Sequence, residues 1–182
     1  MADVFVTKVV TGKVRFSFVN VFEAKAYGEN TEPKYSVMLL IPKTDTVTVD
    51  KIRKAIAAAA EKGKSTKFGG KIPPVLKNTL KDADNDTNLD GEKFVDIWPE
   101  TAGHYILNVS SKQKPQVVDA DLQPIIDSTE FYSGCYGRAS INFFAYNNNG
   151  NKGISAGLNN LQKLEDGDPL GSVTTAEQDF KN

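Results

Sequence analysis

The chain holds a single cysteine, Cys135, and a single histidine, His104, in 182 residues. One thiol cannot close an internal disulfide, which points to a reducing compartment. One imidazole rules out any histidine-based metal cluster. No apolar run approaches the roughly 18 to 20 residues that cross a bilayer, and the N-terminal MADVFVTKVV lacks the basic, apolar, small-residue order of a signal peptide. A soluble, intracellular protein is therefore expected. An excess of one charge is missing too: the net charge is −1 and the pI about 5.9, well below the value above about 9 often found in nucleic-acid-binding domains.

The charge is nevertheless unevenly placed. Met1 to Lys81 carries 15 Lys/Arg against 7 Asp/Glu, or +8, and Asp82 to Asn182 carries 7 against 16, or −9. A basic half suits an anionic partner, while the acidic half either repels that partner or folds away from it. The length suits one domain with a tail and permits a substantial core. A hydrophobic content of 40% is ordinary for a globular chain.

Val4 to Ala26 reads as one bent strand or two consecutive ones, with Val14, Phe16 and Phe18 alternating against Lys13, Arg15 and Ser17. Lys34 to Ile41 is a second strand, more continuously apolar and so more buried, and Pro42 ends it for want of an N–H. Val49 to Lys62 is the one clear helix, with Ile52, Ile56 and Ala59/Ala60 at helical spacing, Asp45, Thr46, Thr48 and Asp50 as N-cap candidates and Gly63 as the C-cap. A short helix or turn fits Pro73 to Leu80.

Asp82 to Trp98 reads as an acidic surface loop. Tyr105 to Val109 and Gln116 to Val118 are short strands flanking the basic turn SSKQKP, and Cys135 to Tyr146 is an aromatic strand. It turns at NNNGN, where Asn and Gly tolerate positive φ, and returns as Lys152 to Leu164. The glycines Gly153 and Gly157 there permit sharp curvature. From Glu165 onward there are 5 acidic residues and 1 lysine, a tail composition. Five or six short strands with one intervening helix define a mainly β fold, best matched by an OB-fold-like antiparallel β-barrel. The expected division is a domain over 1–164, with the acidic loop 82–98 inserted, and a mildly acidic tail over 165–182.

Catalytic and metal motifs fail on their details. Asp82, Asp84, Asp86 and Asp90 echo a calcium loop, but Thr87 stands where glycine is needed and Lys93 where a closing glutamate belongs. Gly63, Lys64, Ser65 and Thr66 echo a P-loop, yet they would close a helix instead of opening one. Cys135 and His104 lack an orienting third group for nucleophilic catalysis, and Cys135 suits the role of a small packed residue. No enzyme activity and no cofactor are expected.

Phe131, Tyr132, Tyr136, Phe143, Phe144 and Tyr146 surround Arg138 on strand-like sequence. Exposed rings stack on unpaired bases while cations follow the phosphates; core packing is the alternative use of such rings. Alternation sets Tyr136, Arg138 and Ser140 on one face and Ala139, Ile141 and Phe143 on the other, so Phe143 belongs to the core. Lys13, Arg15, Lys34, Lys112, Lys114 and Arg138 are the phosphate candidates. Lys62, Lys64, Lys67 and Lys71 around Phe68 form a further basic loop that either flanks the groove or only solubilises it.

The segments GHYILNVSSKQKPQVVD, YSGCYGRASINFFAYN and KGISAGLNNLQKLEDGDPLG, in this order and separation, resemble a family of bacteriophage single-stranded DNA-binding proteins. KYSVMLLIPK and TGKVRFSFVNVFEA extend the likeness more weakly. The resemblance implies an OB-like barrel that coats and protects unpaired DNA, independent of its sequence and without catalysis, during phage replication or recombination. His104, Tyr105, Lys112, Lys114, Tyr132, Tyr136 and Arg138 stand at positions that match the family's motifs, and we expect these side chains to contact DNA; the resemblance also implies the cytoplasm of an infected or lysogenic bacterial host. Recruitment of replication or recombination proteins through the tail is less well matched, since EQDFKN is only mildly acidic and Phe180 is not terminal. A homodimer stays open, and a non-enzymatic phage structural or assembly protein is the competing reading.

Overall fold

The computed structural model describes residues 6–26, 29, 31–74, 76, 79–170 and 180. The turn expected from Pro73 to Leu80 falls partly outside these residues, and the tail beyond Leu170 lies outside them except for Phe180. The described chain forms β1 (Lys8–Val10), β2 (Val14–Lys25), β3 (Lys34–Pro42), α1 (Thr46–Gly63), β4 (Lys81–Asp82), α2 (Phe94–Ile97), a single 3-10 turn (Pro99–Thr101), β5 (His104–Ser111), β6 (Gln116–Val118), β7 (Tyr136–Asn148) and β8 (Asn151–Glu165).

Five of these strands close on themselves. β2 pairs antiparallel with β3, and β3 with β5 over eight residue pairs from Tyr35↔Ser111 to Pro42↔His104. β5 meets β8 in parallel at Ser110↔Gly157, β8 runs antiparallel to β7, and β7 returns to β2 at Gly137↔Val14. Taken in chain order, the five strands pair first to second to third to fifth to fourth and back to the first, so no edge is left within the ring. The OB-like barrel expected from the sequence is thus the observed fold. β1 adds to β7 and β6 adds to β8 at the margins.

Alternation explains the core. On β7, Ala139, Ile141, Phe143 and Ala145 point inward and are buried, while Arg138, Ser140, Asn142, Phe144 and Tyr146 point out. The β7–β8 hairpin turns at Asn149 (φ 53°) and Gly150 (φ 91°), the left-handed pair that a two-residue turn requires. Val37, Leu39 and Ile41 of β3 enter the same core, and α1 covers it with Val49, Ile52, Ala55 and Ala59.

Two features depart from the expectations. Phe18 does not follow Phe16 inward: the β2–β3 register shifts between Ser17 and Asn20, Ser17 is buried, and Phe18 (φ 49°) is turned to the outside. Gly63 is the last residue of α1 and not its cap, which is Lys64. A Cβ at Gly63 would lie 2.2 Å from the Ala145 Cβ, so close contact with β7 requires glycine there. The N-cap is Asp45, whose Oδ1 accepts from the Thr48 N–H at 3.1 Å.

The acidic stretch 82–98 also differs from the solvated loop expected. Met38, Leu40 and Ile106 project from the outer faces of β3 and β5 and are buried there by Ala83, Phe94 and the partly covered Trp98. This second, outer cluster accounts for the unbroken apolar run of β3: both of its faces are covered. Charge fastens the segment down. Lys43 Nζ bridges Asp82 and Asp84, the latter at 2.7 Å, and the Gly103 N–H donates to Asp84 Oδ1 at 3.1 Å.

Candidate nucleic-acid interface

Docking of 82–98 builds one wall of a trough on the barrel's outer face. Trp98 stacks on Phe94 with ring centroids 5.7 Å apart, and Phe18 meets Trp98 edge-on at 5.2 Å. From this wall the surface crosses Ser36 and Met38 of β3, Asn108 and Ser110 of β5, and Ser155 of β8, around a depression of about 450 Å³. Ser110 and Ser155 also line the adjoining groove of about 730 Å³, whose far side carries Phe144 and Tyr146 and whose rim carries Lys34 and Lys112.

The register of the β7–β8 hairpin seats the two rings. Tyr146 pairs across the ladder with Gly153, and Phe144 is flanked by Gly157, the partner of Asn142. A Cβ at Gly153 would stand 2.6 Å from the Tyr146 hydroxyl, and one at Gly157 would stand 3.5 Å from Phe144 Cε1. With no side chain beneath them, the rings lie over bare backbone. Phe144 is 46% exposed and Phe18 48% exposed, so both present apolar ring surface to the trough. The glycines expected to give curvature serve here as ring seats.

The sequence-predicted contacts are divided among several faces. Lys34 and Lys112 stand at the trough, where Lys112 Nζ is 3.0 Å from Glu32. Lys13, Arg15 and Tyr136 form a separate group: the cations lie over the Tyr136 ring, each 5.3 Å from its centroid. Lys13 also pairs with Glu165 at 2.7 Å. Arg15 donates to the carbonyls of Gly134 and Asp168 at 3.1 and 2.7 Å. A Cβ on Gly167 would meet Tyr136 at 2.7 Å. The Tyr136 ring is therefore engaged by the protein's own cations and by the segment after β8.

Tyr132 belongs to the same neighbourhood. Its hydroxyl donates to Asp166 Oδ1 at 3.0 Å, and Lys163 lies 5.4 Å from its ring centroid. Burial and the Asp166 contact push its phenol up, while Asp166 is held below the usual carboxylate range by hydrogen bonds from Lys163 and Tyr132. Arg138 is exposed and donates through Nε to the Thr11 carbonyl at 3.2 Å. Lys114 borders a different hollow, between β2 and residues 126–133. Tyr105 lies under Lys43 and Arg53, 5.5 and 5.3 Å from its ring centroid, beside α1. His104 Nδ1 is 2.8 Å from the Ala102 carbonyl.

Phe144 and Tyr146 stood in the aromatic group read from the sequence without being named as DNA contacts, and Phe18 and Trp98 stood in no candidate group. The first two were accessible in principle, because the alternation that buries Phe143 sends both to the opposite face. Phe18 was hidden by the bulge and Trp98 by a segment without periodicity. Elsewhere, Cys135 is fully buried and burial pushes its thiol up, away from the thiolate that a nucleophile needs. Among the described residues no group of three or more His, Cys, Asp or Glu is placed to hold a metal ion.

A five-stranded OB-like barrel with an aromatic, lysine-rimmed trough across its outer strands has the make-up of an oligonucleotide-binding domain. Comparison with known proteins agrees with that class. The family model described as Enterobacter phage Enc34, ssDNA-binding protein, matches residues 7–182, and the chain belongs to this family. It is 32% identical over 176 residues to protein p50 of Acyrthosiphon pisum secondary endosymbiont phage 1, covering 94% of this chain and 91% of p50. The structure of the bacteriophage Enc34 single-stranded DNA-binding protein in complex with ssDNA is similar at TM-score 0.73 and 25% identity, over 91% of this chain and 90% of that one. The single-stranded DNA-binding protein encoded by bacteriophage T7 shares the fold at TM-score 0.57 and 15% identity, over 95% of this chain and 92% of its own.

Proposed function

We propose that the protein is a phage single-stranded DNA-binding protein that coats unpaired DNA during replication or recombination, with the trough as its binding surface. The seating of Tyr146 and Phe144 over glycine backbone beside a lysine rim carries this reading, because it leaves π-faces open where a buried core would have filled them. Bases stack on Phe144 and Tyr146 at one side and meet Phe18 and Trp98 at the other, each stacked base contributing about 1–3 kcal/mol irrespective of its identity. Lys34 and Lys112 neutralise phosphates, and Lys112 exchanges its contact with Glu32 for one with DNA. Strand held in this way is kept from forming hairpins and is shielded from nucleases.

The binding domain spans 1–164 and the tail 165–182, and the protein acts in the host cytoplasm, holding DNA without cutting or modifying it. The Lys13, Arg15, Tyr136 and Tyr132 group joins the interface only when residues 166–170 lift away. A fluorescence titration with oligo-dT over a range of salt concentrations tests the proposal. Binding that weakens linearly in log K against log salt is expected. No binding at low salt, or binding indifferent to salt, would refute it.

A further inference from the structure

At the β7–β8 hairpin the trough borders the segment that follows α1. Asn147, which lines the groove, donates through Nδ2 to the Lys67 carbonyl at 3.0 Å and pairs across the hairpin with Lys152. Lys67 belongs to the stretch 62–71, KGKSTKFGGK, which contains four lysines and no acidic residue. Lys62, Lys64, Lys67 and Lys71 are all exposed, and none of them is in an ion pair among the described residues.

The loop is also well built. The Lys67 and Phe68 N–H groups both donate to the Gly63 carbonyl, the Gly70 N–H donates to the Lys64 carbonyl at 2.7 Å, and Phe68 is buried in the core. A ring anchored inward and backbone closed on itself hold the ammonium groups outward on a fixed surface. By contrast, Lys13 is paired with Glu165, Lys43 with Asp82 and Asp84, Lys54 with Asp50, Lys112 with Glu32 and Lys163 with Asp166. Unneutralised charge concentrated on one rigid loop beside the trough fits a polyanion that continues past it.

We infer that the DNA strand leaves the trough over Asn147 and runs along the loop 62–71, so that the interface has a stacking part on the barrel and a phosphate-only part at the end of α1. This extension rests on the reading of the trough as the DNA-binding surface. It assigns Lys62, Lys64, Lys67 and Lys71 to backbone contacts that hold a long strand but are not reached by a short one.

Wild type and the quadruple variant Lys62→Gln, Lys64→Gln, Lys67→Gln, Lys71→Gln are compared by fluorescence anisotropy with oligo-dT of about 6 and about 30 nucleotides, lengths that fill a single OB groove and overrun it. With the long oligonucleotide, the slope of log K against log salt falls by about 2 to 3 in the variant, at about 0.7 for each phosphate no longer neutralised. With the short one, affinity and slope match wild type. Equal weakening of both lengths, or no change with the long one, overturns the extension while leaving the trough in place. Failure of the wild type to bind the short oligonucleotide overturns the trough and the extension with it. An unchanged melting temperature of the variant confirms that its fold is intact.

Discussion

Phe143 and Phe144 are neighbours in sequence with opposite surroundings, and truncating each in turn separates binding from folding. Phe143 is 1% exposed, inside the barrel, whereas Phe144 is 46% exposed beside Gly157 on the trough. Phe144→Ala removes one stacking surface worth about 1–3 kcal/mol, which at about 1.4 kcal/mol per tenfold is a rise of about 5- to 150-fold in Kd. Its cost in stability should be near the ±0.5 kcal/mol typical of surface changes. Phe143→Ala instead vacates a buried ring site and should cost about 3–5 kcal/mol of folding stability. Anisotropy with labelled oligo-dT and thermal denaturation read the two effects on the same samples. A Phe144→Ala protein with wild-type affinity, or one that loses as much stability as Phe143→Ala, would refute the assignment of that ring to the DNA face.

Gly153→Ala brings a methyl to 2.6 Å from the Tyr146 hydroxyl and should weaken oligo-dT binding by displacing the ring, whereas Gly157→Ala, at 3.5 Å from Phe144, should be tolerated; equal Kd values for the two variants would contradict the seating. Lys34→Gln and Lys112→Gln should each lower the salt slope by about 0.7, and an unchanged slope clears the residue of phosphate contact. The latch on 82–98 makes Trp98 a pH probe. Burial pushes Asp82 up, but hydrogen bonds from Lys43 and Asn85 prevail and hold it below 3.8. Hydrogen bonds from Lys43 and the Gly103 N–H likewise hold Asp84 below 3.8. Depressed carboxylates stabilise above their unfolded value and lose that contribution as pH falls through the folded one. The hydrogen bond to Asp82, followed by that to Asp84, raises Lys43 above 10.5, so its contribution holds below that value and is lost only as pH rises past the raised one. Trp98 emission should hold steady at neutral pH and change in acid below 3.8, and Lys43→Met should move that change to higher pH; superimposable titrations would refute the latch.

Most strands were legible because one face is buried: period two in β7 placed Ile141 and Phe143 inside, and Asn149–Gly150 marked the hairpin. The same period assigned Tyr136 and Arg138 to the outer face, where they lie. It carried no information on what packs against Tyr136, because Gly167 is distant in sequence and meets it only through the path of the chain after β8. The ring seats were equally hidden, since Gly153 and Gly157 acquire meaning only from the register of β8 against β7. Phe18 escaped because a bulge reverses alternation over a single residue. Trp98 escaped because its segment is held by outward residues of β3 and β5, whose burial made β3 look like a strand covered on both faces without naming its cover.

In the proposed complex, bases lie in the trough between the Phe144–Tyr146 side and the Phe18–Trp98 side. Photocrosslinking with oligo-dT carrying a photoreactive thymine analogue, followed by peptide mapping, tests it most directly. Crosslinks should fall on Phe18, Trp98, Phe144 and Tyr146. Crosslinks confined to Tyr132, Tyr136 or Tyr105, with the trough rings unmarked, would contradict it.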